Sequence, residues 1–141
     1  MASLAFQKFN CFSQDVGRGV HNLNANTLKV MLTDVAPVAT NTVLANLTEI
    51  SAGYGYTAGG GAVGSNAYAQ TLGVGKLSGN DVVFTAAGGL IGPFRYAVLY
   101  NSTASGGPLI GWWDYAAEVS LQDTQKFTVK FDSTNGILTL V

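Results

Sequence analysis

Residues 94–115 of this 141-residue chain read FRYAVLYNSTASGGPLIGWWDY. The stretch contains two segments, 94–100 and 109–115, that are rich in aromatic and branched side chains and predict extended strands. Side chains alternate between the faces of a strand. In residues 94–100 the faces carry Phe94, Tyr96, Val98 and Tyr100 on one side and Arg95, Ala97 and Leu99 on the other. Both faces are largely apolar, so such a strand is either buried on both sides within one domain or covered on one side by another chain.

The second segment has the same character and contains two adjacent tryptophans. Its faces carry Leu109, Trp113 and Tyr115 on one side and Ile110, Trp112 and Asp114 on the other. Because Trp112 and Trp113 are neighbours in an extended segment, they must point in opposite directions. One is expected to fill the core, and the outward Trp or Tyr is a candidate contact residue.

Other segments also show the period of two that is typical of strands. Leu28, Val30 and Leu32 alternate with other residues and predict a half-buried strand at 28–33. Residues 127–131, an Asn-Gly turn at 133–136 and residues 137–141 predict a C-terminal hairpin. Further strands are predicted at 67–71 and 81–86. Several short strands at this spacing favour an antiparallel β-sandwich or barrel-like domain.

The N-terminal segment has a helical period instead. Its apolar residues recur every three or four positions and predict one helix at 11–23, although Gly17 and Gly19 weaken it. The residues concerned are Phe9, Phe12, Val16, Val20 and Leu23. A short second helix is predicted around 42–50, and the glycine-rich stretch 53–64 is expected to be a long loop. The expected organisation is a single domain, residues 1–141, with an N-terminal arm and helix at 1–26 and a β domain at 27–141.

The composition is poor in charge. Seven Lys and Arg and eight Asp and Glu make 11% of the chain, against 48% hydrophobic residues, whereas an average soluble domain has roughly a quarter charged residues. Such a chain is expected to leave apolar surface for neighbours to cover, which indicates an assembly component. The basic residues do not cluster and the net charge is −1, so no nucleic-acid partner is expected.

Compartment signals are few. The single cysteine, Cys11, cannot form an internal disulfide. Polar residues interrupt the first 23 positions, so no signal peptide is expected, and no run of eighteen apolar residues predicts a membrane span. We expect synthesis in the cytoplasm of the producing cell and no membrane partner.

Templates for enzymes and metal sites do not fit. The only histidine, His21, has no metal-ligand spacing to any other residue and is interpreted as a helix-end or surface residue. Asp114 and Glu118 beside the tryptophans are the only local pair that resembles a glycosidase pair, and a solvated strand end is the favoured interpretation. We expect no enzyme activity, cofactor or metal. The same aromatic residues could form a sugar-binding surface, so a carbohydrate-binding module stays as an alternative.

The order of five segments carries a resemblance. These are LKVMLT at 28–33, EISAGYGYTAGG at 49–60, RYAVLY at 95–100, LIGWWDY at 109–115 and GILTL at 136–140. The succession resembles small virion proteins of tailed bacteriophages, of the head decoration or capsid cement class. It covers nearly the whole chain from Phe6 onwards.

The resemblance implies a structural virion protein on the capsid surface. Such a protein binds the major capsid protein on the outside of the expanded shell, often as a trimer or other homo-oligomer, and stabilises the shell. A tail or fibre component is the alternative within this class. The residues that we predict to contact a partner are aromatic and lie in the N-terminal segment, the glycine-rich loop and the second long strand: Phe6, Phe9, Phe12, Tyr54, Tyr56, Trp112, Trp113 and Tyr115.

Overall fold

The computed structural model describes residues 6–132, 134 and 136–140. Its strands, in chain order, are β1 (Gln7–Lys8), β2 (Leu28–Thr33), β3 (Gly61–Ala62), β4 (Ala67–Thr71), β5 (Val74–Ser78), β6 (Val82–Thr85), β7 (Ile91–Asn101), β8 (Leu109–Leu121), β9 (Lys126–Val129) and β10 (Leu138–Leu140). One helix, α1 (Cys11–Gly17), follows β1, and a 3-10 turn (Leu44–Asn46) follows β2.

The strands form antiparallel sheets. A five-stranded sheet has the order β1-β8-β7-β2-β3, a three-stranded sheet has the order β10-β5-β4, and β6 pairs with β9. The fold is therefore mainly β, sandwich-like and without a closed barrel, with one helix near the N-terminus. The predicted fold class is confirmed, as are strands at 28–33, 67–71, 81–86, 94–100 and 109–115, although β7 and β8 are longer than predicted.

The central pair β7 and β8 does not keep one regular alternation of faces. The register shifts between Phe94 and Tyr96 and again between Leu99 and Tyr100. At the second shift Leu99 lies opposite Gly111 and Tyr100 lies opposite Leu109, which leaves one extra residue in β8. Such a bulge moves the following side chains to the other face. The predicted faces of β7 are therefore wrong at Phe94, which lies with Ala97 and Leu99. Those of β8 are wrong at the bulge, where Leu109 and Ile110 exchange sides.

The observed faces follow from these shifts. Phe94, Ala97 and Leu99 lie in the larger apolar core together with Ile110 and Trp113. A smaller cluster on the opposite face contains Phe9, Met31, Val98, Tyr100 and Leu109, with Trp112 packed against it. Both faces of the central sheet are thus covered by the chain itself, including β2, which is buried on both faces and not half-buried as predicted.

The predicted C-terminal hairpin is wrong. β9 pairs with β6, with Val82 opposite Val129, whereas β10 pairs with β5, with Leu138 opposite Leu77. The chain does reverse, because Asp132 and Gly136 form an isolated bridge. The two arms then enter different sheets. Ser133, Asn135 and Val141 of the prediction lie outside the described residues.

The predicted helices are both shortened. α1 ends at Gly17 instead of Leu23, and Gly19 has a left-handed backbone with φ of +75°. Phe9 precedes the helix and lies in the smaller cluster. At 42–50 only the 3-10 turn forms, where the side-chain oxygen of Asn46 accepts hydrogen bonds from the backbone N–H of Thr42 and Val43. A polar side chain that bonds its own backbone in this way competes with helix formation.

Candidate interaction surface

The predicted contact residues of the N-terminal segment and the tryptophans cover one another. β1 pairs with β8, with Gln7 opposite Trp112. The ring of Phe6 lies 4.8 Å from that of Trp113, and the ring of Phe9 lies 4.6 Å from that of Trp112. Trp113 is 4% exposed, whereas Trp112 is half-buried, as predicted for one inward and one outward tryptophan.

Four of the predicted contact residues are inside the core. Phe9, Phe12, Tyr56 and Trp113 are buried, so in this conformation they cannot contact a partner. Burial of large aromatic rings within the chain stabilises the fold. The same burial makes these rings inaccessible to another molecule. The prediction is corrected for these four residues.

Three further predicted residues are partly covered. Phe6, Trp112 and Tyr115 are half-buried and pack against the apolar clusters. The ring of Tyr115 meets that of Phe127 edge-on at 4.9 Å, and burial raises the pKa of Tyr115 to about 12. These residues offer a partner only part of their side-chain surface.

The glycine-rich loop is anchored by Glu49. A carboxylate oxygen of Glu49 accepts hydrogen bonds of 2.6 Å from the Tyr56 hydroxyl and from the backbone N–H of Gly59. The Tyr56 hydroxyl in turn accepts a 3.0 Å hydrogen bond from the backbone N–H of Leu32. Burial and the Glu49 hydrogen bond raise the pKa of Tyr56 well above its usual range. Tyr56 is therefore a structural residue that ties the loop to β2.

The same loop is packed tightly against the sheet. A Cβ atom at Gly60 would overlap the carbonyl oxygen of Val30 in β2. The Tyr100 hydroxyl donates a 2.5 Å hydrogen bond to the carbonyl of Gly59. Desolvation and the nearby Glu49 carboxylate raise the pKa of Tyr100. Residues 59–60 of the loop are therefore fixed against the sheet, although a glycine-rich loop could in general adapt its backbone to a partner.

Tyr54 alone among the predicted contact residues is well exposed, at 59%. A Cβ atom at Gly89 would touch the ring of Tyr54, so this ring lies on the backbone of residue 89. The next residue, Leu90, is also exposed, at 43%. Tyr54 and Leu90 are thus two exposed apolar residues, with the Tyr54 ring against the backbone next to Leu90, and we call them the Tyr54 pair.

Two more exposed apolar pairs were not predicted. Val35 and Val38 lie in the loop after β2, and Leu72 and Val74 lie at the tip of the hairpin that β4 and β5 form. Leu72 is 97% exposed, the largest value among the exposed large hydrophobic residues of the described chain. The sequence did contain an indication of this exposed side chain. Leucine precedes Gly73 at a position in a tight turn where Asn or Gly is common.

The hairpin tip has a two-residue turn. Thr71 lies opposite Val74, and Leu72 and Gly73 both have left-handed backbones, with φ of +51° and +84°. This is the geometry of a type I′ turn. The side-chain oxygen of Gln70 accepts a 2.9 Å hydrogen bond from the N–H of Gly73 and closes the turn. The exposed leucine is therefore held at a defined place despite an unfavourable backbone conformation.

His21 is a buried structural residue and not the helix-end or surface histidine that was predicted. Its ring nitrogen Nδ1 lies 3.1 Å from the amide nitrogen of Asn101, which can only donate, so the proton of neutral His21 is assigned to Nε2. Nε2 lies 4.0 Å from a carboxylate oxygen of Asp15. Desolvation lowers the pKa of His21, and the Asp15 carboxylate opposes that shift. His21 also lines a cleft of about 350 Å³ with Leu23, Tyr68 and other residues.

Asp114, one of the two carboxylates near the tryptophans, is held in an ion pair with Arg95. Asp114 accepts hydrogen bonds from two guanidinium nitrogens of Arg95, at 2.8 and 3.1 Å. The hydrogen bond from Arg95 lowers the pKa of Asp114, the opposite of what a general acid requires. Glu118 is exposed on the irregular part of β8. Across the described residues, no group of three or more His, Cys, Asp or Glu side chains could hold a metal ion.

No family model, curated protein or solved structure matches this chain. In the part of the chain that the structure describes, none of the helices is both long and apolar enough to cross a membrane.

Proposed function

We propose that this chain is a structural virion protein of a tailed bacteriophage that binds the outer surface of the capsid shell and stabilises it. The sequence resemblance indicates this class. The observation that carries the proposal is that pairs of exposed apolar side chains lie on loops of a β-sheet domain that carries little charge. The pairs are Val35 with Val38 and the Tyr54 pair, which consists of Tyr54 and Leu90.

The position of these pairs determines how docking would work. Both faces of the central sheet are covered by the chain itself, so a partner cannot use the large aromatic strands. The exposed pairs are small, and each provides one or two apolar anchors. Individually weak contacts of this kind stabilise a shell when many copies bind at once. Low charge reduces repulsion between copies that are packed side by side.

The carbohydrate-binding alternative depended on an exposed tryptophan. Trp113 is buried, and one face of Trp112 is covered by Phe9. Tyr54 is the remaining exposed aromatic ring among the predicted residues. No observation favours this alternative over shell binding, and we do not propose it.

The test uses purified protein and undecorated, expanded capsids of the phage that encodes it. The protein should co-sediment with the capsids and raise their disruption temperature, because a ligand that binds the intact shell stabilises it. Absence of binding to capsids would exclude the capsid proposal. Binding to phage tails alone would identify the protein as a tail component.

Variants would locate the contact. Tyr54→Ser with Leu90→Ser, and separately Val35→Ser with Val38→Ser, remove exposed apolar area without touching the core. We expect at least one of these double variants to lose capsid binding by roughly tenfold or more while keeping its unfolding midpoint. Val83→Ser, an exposed change on β6, serves as the matched control.

A further inference from the structure

We propose that two copies of this chain pair through strand β4, antiparallel, with Gln70 of one copy opposite Gln70 of the other. This inference goes beyond the proposed function, because it concerns contact between copies irrespective of what they bind. It depends on three features: an edge of β4 that no described strand pairs with, the absence of charge from residues 67–75, and the exposed Leu72.

The free edge begins at Gln70. β4 is the edge strand of the three-stranded sheet. In an antiparallel hairpin closed by a two-residue turn, the residues that flank the turn bond each other and alternate residues face outwards. Thr71 opposite Val74 therefore points its backbone groups inwards, whereas Gln70 and Tyr68 point theirs outwards. The outward N–H of Tyr68 agrees with this, since it donates a 3.1 Å hydrogen bond to the side chain of Asn24.

Asn24 determines which register remains available. The side-chain oxygen of Asn24 accepts the outward N–H of Tyr68, so that group cannot bond a second strand. The outward N–H and C=O of Gln70 are the groups that a second strand can use. A ladder centred on Gln70 pairs that residue with its own copy through two hydrogen bonds and leaves the Asn24 contact intact. The strand is self-complementary in this register, as a twofold interface requires. Ala69 then lies opposite Thr71 of the other copy.

The hairpin lacks the features that normally block strand edges. Natural edge strands are protected by charged residues, especially lysine, by proline or by bulges. Residues 67–75 contain no charge and no proline, and the register of β4 with β5 is regular. The first charged residue, Lys76, lies on β5, and its side-chain amine donates to the carbonyl of Thr134. Two copies can therefore approach along β4 without repulsion.

Leu72 supplies the apolar contact of the pair. In the register centred on Gln70, Leu72 of each copy lies alongside Tyr68 of the other. Leu72 is 97% exposed, and Tyr68 is half-buried at the rim of the cleft beside His21. Pairing thus covers a leucine that otherwise stands in water on a constrained turn. We therefore assign the outer edge of β4, with Leu72, to contact with a second copy of the chain and not with a shell protein.

Cysteine cross-linking of the full chain tests the register. In a Cys11→Ser background, Gln70→Cys places two thiols directly opposite each other, with the Cα separation of roughly 5.5 Å that a disulfide accepts. Pairing raises the local thiol concentration towards the mM range, so at micromolar protein the interchain disulfide should form roughly tenfold or more faster than in the control Thr85→Cys. Thr85 is an exposed strand residue of β6, outside this hairpin.

A mixture sharpens the same test. Ala69→Cys and Thr71→Cys should cross-link to each other when mixed, and neither should cross-link efficiently to itself. Equal rates for Gln70→Cys and Thr85→Cys would overturn the proposal, and self-linking of Ala69→Cys would overturn the register.

Leu72→Asn separates the pairing from folding. Asn is favoured before Gly in a type I′ turn, so this variant keeps the hairpin and removes only the apolar side chain. Cross-linking of Gln70→Cys should fall to the control rate in the Leu72→Asn background, and an unchanged rate would contradict the role of Leu72. All these measurements use the protein without capsids, so their failure is distinct from a failure of capsid binding.

Discussion

The glycine-rich segment at 53–64, predicted to be all loop but containing the short strand β3, and the turn at 71–74 are both uncharged and glycine-containing, yet they behave in opposite ways. The loop is anchored by Glu49 and packed on β2, whereas the turn stands in solvent with Leu72 exposed. Gly60 and Gly73 share the same φ of +84°. A Cβ atom at Gly60 would overlap backbone atoms, whereas a Cβ atom at Gly73 would meet nothing within 4 Å.

The difference teaches that glycine content does not measure mobility. Glycine permits a left-handed backbone in both places, but in the loop it also permits close approach to a neighbouring strand. The anchored loop forms part of the body of the fold, and the free turn is the part that remains available to another molecule.

The largest expected effect comes from Gly60→Ala. The new methyl group would overlap the carbonyl of Val30 in addition to the strained backbone, so the free energy of unfolding should fall by about 3 kcal/mol or more. Gly73→Ala has the same backbone strain without the overlap, and should cost about 1 kcal/mol. Denaturant titration of both variants measures the difference, and equal losses would show that the loop is not packed as described.

Tyr56→Phe tests the anchor itself. The change removes the hydroxyl that accepts from Leu32 and donates to Glu49, and leaves both partners short of a hydrogen bond. We expect a loss of about 2 kcal/mol in the free energy of unfolding. Tyr54→Phe, on the exposed ring of the same loop, should change it by less than about 0.5 kcal/mol. Similar effects from both substitutions would contradict the anchoring role.

The pH dependence of stability tests the role of His21 in the segment that holds the start of β4 to the central sheet. His21 belongs to the segment that bonds Asn101 on β7 and continues to Asn24, which bonds the base of β4. Because burial lowers the pKa of His21, the unfolded chain binds a proton more readily than the folded one. Stability should therefore fall as pH drops below about 7 through the unfolded pKa near 6.5, by at most about 1.4 kcal/mol per pH unit.

The control for this measurement is simple because the chain contains one histidine. His21→Gln should be less stable at neutral pH and should lack the slope between about pH 7 and 5.5. A slope that persists in His21→Gln would assign the pH dependence to other groups.

The smallest expected effect is a gain. Leu72→Asn puts the residue preferred in a left-handed turn position where leucine now stands, and it removes no buried contact. We expect the free energy of unfolding of the monomer to rise by about 0.5–1 kcal/mol. A loss of stability would show that Leu72 contributes to the fold of the single chain, and would remove the contrast with the loop.

Much of the strand content was predictable because strand formation leaves a local signature. The alternation in Leu28–Thr33 and the apolar segments of β7 and β8 predicted strands that the structure confirms. The opposite orientation of Trp112 and Trp113 followed from adjacency alone. β5 was missed, because its residues include a glycine and a lysine and show only a short alternation.

The candidate surface was predicted less well. Of the eight aromatic residues expected to contact a partner, Tyr54 is the one that is well exposed. Aromatic character indicates that a residue is valuable in an interface, but the same character stabilises a core. Leu72, Val35 and Val38 escaped notice because single apolar residues in loops are ordinary in any sequence.

By itself the sequence determined that this chain is mainly β and carries little charge. These are properties of local pattern and composition, which need no knowledge of distant neighbours. Only the tertiary structure decided which faces are covered, because the bulges in β7 and β8 move side chains across the sheet. It likewise decided that Glu49 holds the glycine-rich loop while the hairpin tip stays free, since those contacts join residues that the chain brings together only on folding.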